Sequence, residues 1–140
     1  MNISSTTTAT SKLYPDVTFT FRKFSEKRHQ DFSLATSEAK YRLRDLLAEL
    51  DTLKLPEGVE PDQVQTAKLG NLHDQINSLI DREFSPAWIT HYLKSVDGLT
   101  IDDQPCTIEL FLTDAPSDLY RECVSVIQKQ AELLVEEKNA

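Results

Sequence analysis

Asp16-Val17-Thr18-Phe19-Thr20-Phe21-Arg22 is the stretch on which the fold turns. Apolar Val17, Phe19 and Phe21 alternate with polar Thr18, Thr20 and Arg22, the two-residue period of a strand with one buried face. A sheet is therefore required in a chain whose other long patterns are helical. Upstream, Met1 to Ser11 is rich in Ser and Thr and holds no large apolar residue beyond Ile3. Such a segment buries too little surface to offset the entropy of ordering, so residues 1–14 are expected to form a flexible leader.

Downstream, Ser25 can cap a first helical turn, whereas Asp31 to Thr36 is irregular. From Thr36, a candidate N-cap, Ala39, Leu43, Leu46, Leu47, Leu50 and Leu53 recur at steps of three and four, which predicts a helix running to about Leu55. Pro56, Gly58 and Pro61 break it. A second stripe, Leu69, Leu72, Ile76, Leu79, Ile80 and Phe84, is expected to end before Pro86, and the two helices form an αα-hairpin. Trp88 to Val96 has aromatic and β-branched residues on both phases and reads as a strand buried in part on both faces. Turn chemistry follows at Asp97-Gly98 and Asp102-Asp103.

Thr107 to Leu112 fits a short strand or a helical turn. Thr113 or Asp114, with Pro116 in the first turn, opens a last helix whose stripe is Leu119, Tyr120, Cys123, Val124, Ile127, Ala131, Leu134 and Val135. The expected fold is a helix-rich α+β domain over residues 15–135, about four helices with a small antiparallel sheet of two or three short strands. Residues 136–140 are expected to fray.

The formal net charge is −8, and it is unevenly spread: 9 basic against 7 acidic residues through Lys54, then 6 against 16. That balance disfavours nucleic-acid phosphates and anionic membranes as partners. No stretch is apolar for the length of a bilayer, and Met1 to Ser11 lacks the basic and apolar regions of a secretory signal. The expectation is a soluble cytoplasmic chain.

Three glycines, Gly58, Gly70 and Gly98, leave no phosphate-cradling loop. His29, His73 and His91 stand in no metal-ligand spacing. Cys106 and Cys123 lie 17 positions apart, which fits neither a CxxC pair nor a disulfide framework. No catalytic residue, metal or cofactor is assigned, and the expectation is a non-enzyme. From Ser95 to Tyr120 the chain carries Asp97, Asp102, Asp103, Glu109, Asp114 and Asp118 with no Lys or Arg. The spacing is wrong for a calcium loop. Solvated turns and helix starts explain it most simply, and a phosphate-like decoy for a nucleic-acid-processing enzyme is the alternative. The basic cluster Arg22, Lys23, Lys27 and Arg28 is interleaved with Phe19, Phe21 and Phe24, but alternation sends Phe19 and Phe21 to the core.

The order of features, Phe19-Thr20-Phe21-Arg22-Lys23, a helical middle, Ser95 to Pro105 with its Gly98-Leu99-Thr100-Ile101-Asp102-Asp103-Gln104-Pro105 turn, then Glu136-Glu137-Lys138-Asn139, resembles small tail assembly chaperones and related tail proteins of long-tailed bacteriophages. The resemblance tips Thr107 to Leu112 toward helix. It implies no active site, and it implies binding to a tape-measure or tail-tube protein in the host cytoplasm through apolar helix faces and the carboxyl end. The partner-binding residues expected on this reading are Leu119, Tyr120, Ile127 and Leu134 of the last helix, with Asp102 and Asp103 as an acidic contact. A basic front and an acidic back also suit self-association.

Overall fold

The computed structural model describes residues 1–139, with side chains through Leu133. The fold is helix-rich α+β, as expected. In chain order the elements are β1 (Thr6–Thr10), β2 (Thr18–Arg22), α1 (Glu26–Ala35), α2 (Ser37–Thr52), α3 (Gln63–Leu79), a π turn (Ile80–Phe84), α4 (Ser85–Tyr92), β3 (Leu93–Asp97), β4 (Thr100–Ile101), β5 (Gln104–Pro105), α5 (Ile108–Asp114) and α6 (Ser117–Asn139). The described chain divides into two compact units. One comprises Met1–Phe32 with Pro86–Ala140, and the other is Ser33–Ser85.

The first unit is built on an antiparallel sheet in the order β1-β2-β3. β2 lies in the middle, so Phe19 faces Ala9 on one side and Val96 on the other. Val17, Phe19 and Phe21 are buried, as their alternation predicts. β3 does not alternate. Its register against β2 shifts by one residue between Thr20 and Phe21, a bulge that lets Leu93 and Val96, three apart, both be buried. Phe111 of α5 and Leu119, Cys123, Val124 and Ile127 of α6 complete this core. β4 and β5 form a separate two-residue hairpin, with Asp102 at φ 51° and Asp103 at φ 62°, the pair of left-handed residues that a type I′ turn demands.

The expected flexible leader is instead β1. It pairs with β2 from Thr6↔Arg22 to Thr10↔Thr18, and a clasp follows it. Ser11, itself buried, donates through Oγ to a Glu122 carboxylate oxygen, and the Lys12 amide donates to the other oxygen at 2.8 Å. The Tyr14 hydroxyl donates to Asp118 at 3.0 Å, and the carboxylate holds the phenol pKa above its usual value. Apolar burial was the wrong criterion here: an edge strand is held chiefly by its backbone ladder, for which β-branched threonine is well suited.

The segment Trp88 to Tyr92, expected to be strand, is helix. Helical bonding passes through the π turn, where the Ser85 amide reaches the Ile80 carbonyl, into α4. Pro86 therefore falls in a first turn, where its missing N–H costs little, and it does not end the helical run. Ile89 and Tyr92 are buried on α4, and Trp88 stacks on Phe32 with centroids 4.0 Å apart.

In the second unit, α2 and α3 pair as the expected αα-hairpin. Their loop contains a turn closed by the Val59 amide on the Pro56 carbonyl at 3.1 Å, with Gly58 at φ +83°. A capping box opens α3: Asp62 accepts from the Gln65 amide at 2.8 Å, and Gln65 Oε1 accepts from the Asp62 amide at 3.0 Å. Caps of this kind contribute about 1 kcal/mol.

Candidate functional site

The residues expected on the face of the last helix do not share one environment. Leu119 and Ile127 are wholly buried in the core of the first unit, so they hold α6 to its own sheet and are withdrawn as partner-binding residues. Tyr120 is half-buried, its ring 6.0 Å from that of Phe111 and near parallel to it. Leu134, and the expected frayed end at 136–140, lie outside the residues whose side chains are described. Asp102 and Asp103 are exposed at the tip of the β4-β5 hairpin.

The acidic run disperses over local structure. Asp118 receives the Tyr14 hydroxyl, Asp114 receives the Thr113 hydroxyl at 3.0 Å, and Glu109 sits in the first turn of α5. All six carboxylates are nonetheless exposed. Among the described residues no group of three or more His, Cys, Asp or Glu side chains is placed to hold a metal ion. His29 and His73 are exposed, and His91 stands edge-on to Phe32 at 6.1 Å.

The two thiols differ. Cys123 is fully buried, and burial, reinforced by the neighbouring Glu122 carboxylate, pushes its pKa far above the ordinary value. Cys106 is half-exposed, is raised more modestly by burial, and donates to the Thr107 carbonyl at 3.4 Å. A maleimide is therefore expected to label the native chain once, at Cys106, and twice in denaturant. Peptide mapping that found Cys123 modified at a comparable rate would contradict this packing.

Aromatic residues concentrate between β2 and α4. Phe24 stacks on Tyr92 at 4.3 Å, and Trp88 lies 5.5 Å from the same ring. The Tyr92 hydroxyl is buried without a hydrogen-bond partner, and so is Arg28 Nε. Burial raises the Tyr92 pKa, while the Arg28 charge pulls it down.

The apolar stripe of α2 is left largely uncovered. Of its residues only Ala39 is buried. Leu43, Leu46, Leu50 and Leu53 are half-exposed, and Leu47 is 47% exposed. α3 by contrast buries Leu72, Ile76 and Leu79. Within the hairpin two open grooves of about 240 and 220 Å³ border the stripe, one including Leu53, Lys68 and Leu72, the other Arg42, Leu46 and Arg82. The sequence carries the signal as a six-residue stripe on a helix whose hairpin partner is α3. An isolated helix pair has one seam, and a stripe this broad exceeds it.

Among the described residues no helix is long and apolar enough to cross a membrane. Comparisons with protein-family models, with curated proteins and with solved structures return no match to this chain.

Proposed function

We propose that the chain is a non-enzymatic protein-binding factor of the host cytoplasm that acts in phage tail assembly, and that it engages a helical segment of a tape-measure or tail-tube protein through α2. The observation that carries this reading is the row Leu43, Leu46, Leu47, Leu50 and Leu53: five leucines on helical spacing, none of them buried. A partner helix with apolar anchors at the same spacing completes such a face, in helix-in-groove fashion. Each leucine removed from water contributes roughly 1.5 to 3 kcal/mol, reduced here because each is already partly covered. The assignment to tail assembly rests on the resemblance carried by Phe19 to Lys23 and Gly98 to Pro105.

A second reading is kept by one observation. Asp97, Asp102, Asp103, Glu109, Asp114 and Asp118 are all exposed, with no Lys or Arg from Ser95 to Tyr120. An acidic decoy for a nucleic-acid-processing enzyme would use them.

The full chain, tagged and exposed to host lysate at low and at high salt, separates the two, with bound proteins identified by mass spectrometry. Capture of a long helical or tail-tube polypeptide that survives high salt, and that falls at least about 10-fold in Leu43→Asp/Leu47→Asp, is the expected result. Capture of a nuclease or DNA-binding enzyme that salt releases, and that Asp102→Asn/Asp103→Asn/Asp114→Asn abolishes, would overturn it in favour of the decoy.

A further inference from the structure

β1 is an edge strand, and its alternation decides which of its backbone groups are free. The Ser11 amide donates to the Val17 carbonyl at 2.8 Å, and the Lys23 amide donates to the Ser5 carbonyl at 3.0 Å. In an antiparallel ladder the bonded positions recur every second residue, so Ser5, Thr7, Ala9 and Ser11 address β2. The N–H and C=O groups of Thr6, Thr8 and Thr10 point the other way. Ser4 Oγ covers Thr6, donating to its carbonyl at 3.0 Å, which leaves Thr8 and Thr10 open.

Exposed edges are ordinarily protected by lysine, proline or a cover. Among the described residues β1 has none of these. No charged side chain occurs between Met1 and Lys12, in a chain whose net charge of −8 otherwise sets one copy against another. The strand is also self-complementary about its centre. In an antiparallel register that places Thr8 opposite Thr8 of a second copy, Thr6 meets Thr10 and Thr7 meets Ala9.

The geometry points to a two-fold homodimer formed by antiparallel pairing of β1 with β1 of a second copy, joining the two three-stranded sheets into one of six strands. Thr8 exchanges both of its backbone bonds with Thr8 of the copy. The Thr10 amide takes over the Thr6 carbonyl that Ser4 holds in the free edge. A five-residue pairing lies at or below the low end of specific interfaces, about 1,200 Å², the range of weak, transient association. It is independent of what α2 binds.

Sedimentation equilibrium of the full chain up to about 200 µM is expected to move from the 15.9 kDa monomer toward twice that mass. Amide exchange at Thr8 and Thr10 slows as concentration rises, while Thr7 and Ala9, already bonded to β2, stay unchanged. Thr8→Pro removes an outward N–H and leaves the β2 ladder intact, and Thr8→Lys puts like charges face to face at the two-fold axis. Each is expected to weaken the dimer at least about 10-fold with the circular dichroism spectrum preserved. A chain monomeric throughout the range overturns the proposal. So does a dimer that both Thr8 variants leave intact, since that dimer would pair elsewhere, through the α2 leucines for example.

Discussion

Phe19→Ala is expected to destabilise the protein by about 3 to 5 kcal/mol, the range for removing a fully buried phenylalanine. The ring sits on the central strand, with its centroid 5.8 Å from Phe21 and 6.1 Å from Phe111, the latter contact edge-to-face at 82°. Its cross-strand partners are Ala9 and Val96. Alanine at position 9 is too small to fill the vacated space, and the other neighbours are fixed by the β-ladder or by α5. The cavity therefore stays largely open, and the lost contacts add to the lost burial. Against a typical stability of about 5 to 15 kcal/mol the variant is marginal. Urea denaturation, with hydrogen exchange to locate the effect, is the measurement: protection should fall across β1 to β3, α5 and α6. Phe19→Leu, which conserves most of the volume, should cost less than about 1.5 kcal/mol. A loss below about 1 kcal/mol for Phe19→Ala would mean that the ring does not organise this core.

What could be read in the sequence was periodicity that nothing interrupts. Val17, Phe19 and Phe21 alternate without a break, Leu119, Cys123, Val124 and Ile127 keep helical spacing, and both sets are core. Thr107 caps α5 by accepting the Leu110 amide at 3.2 Å, so the helical alternative for that segment holds. Where periodicity was broken, reading failed for identifiable reasons. The bulge in β3 puts Leu93 and Val96 out of phase with any two-residue template, and the π turn carries helix across a proline that ordinarily stops it. β1 has almost no apolar content, and its order depends on Val17, Lys23 and Glu122, which are distant along the chain or lie on another strand.

The candidate site turns on the same logic. An apolar stripe announces that a face is to be covered without saying by what. Leu119, Cys123, Val124 and Ile127 of α6 find their cover in the core built on β2, β3 and α5, whereas the stripe of α2 does not find enough in α3. Burial of Leu119 and Ile127 thus moves the proposed binding function from the end of the chain to its middle, onto residues whose substitution by charge leaves the core of the first unit untouched.

Gly98→Ala is expected to be the most damaging single-methyl change in the chain. Gly98 follows β3 at φ +82°, a conformation that costs a non-glycine residue about 1 to 2 kcal/mol. Space adds to this cost. A Cβ built there would overlap the Asp16 carbonyl oxygen and stand 2.9 Å from its carbon, and both atoms belong to backbone that leads directly into β2. A flexible side chain could swing away, but the Asp16 peptide cannot move without dragging Val17, whose carbonyl is held by the Ser11 amide. The clash must therefore be relieved by shifting the Thr18↔Asp97 end of the β2-β3 ladder. Strain and lost pairing together should reach about 3 kcal/mol or more, against less than about 1 kcal/mol for Gly70→Ala, which meets nothing within 4 Å inside α3 and gains helix propensity. The comparison is one of thermal unfolding midpoints. Gly98→Ala should melt several degrees below the parent and Gly70→Ala at or above it; equal midpoints for the two would show that Asp16 yields freely and that the close approach of these backbones is not what fixes the end of the sheet.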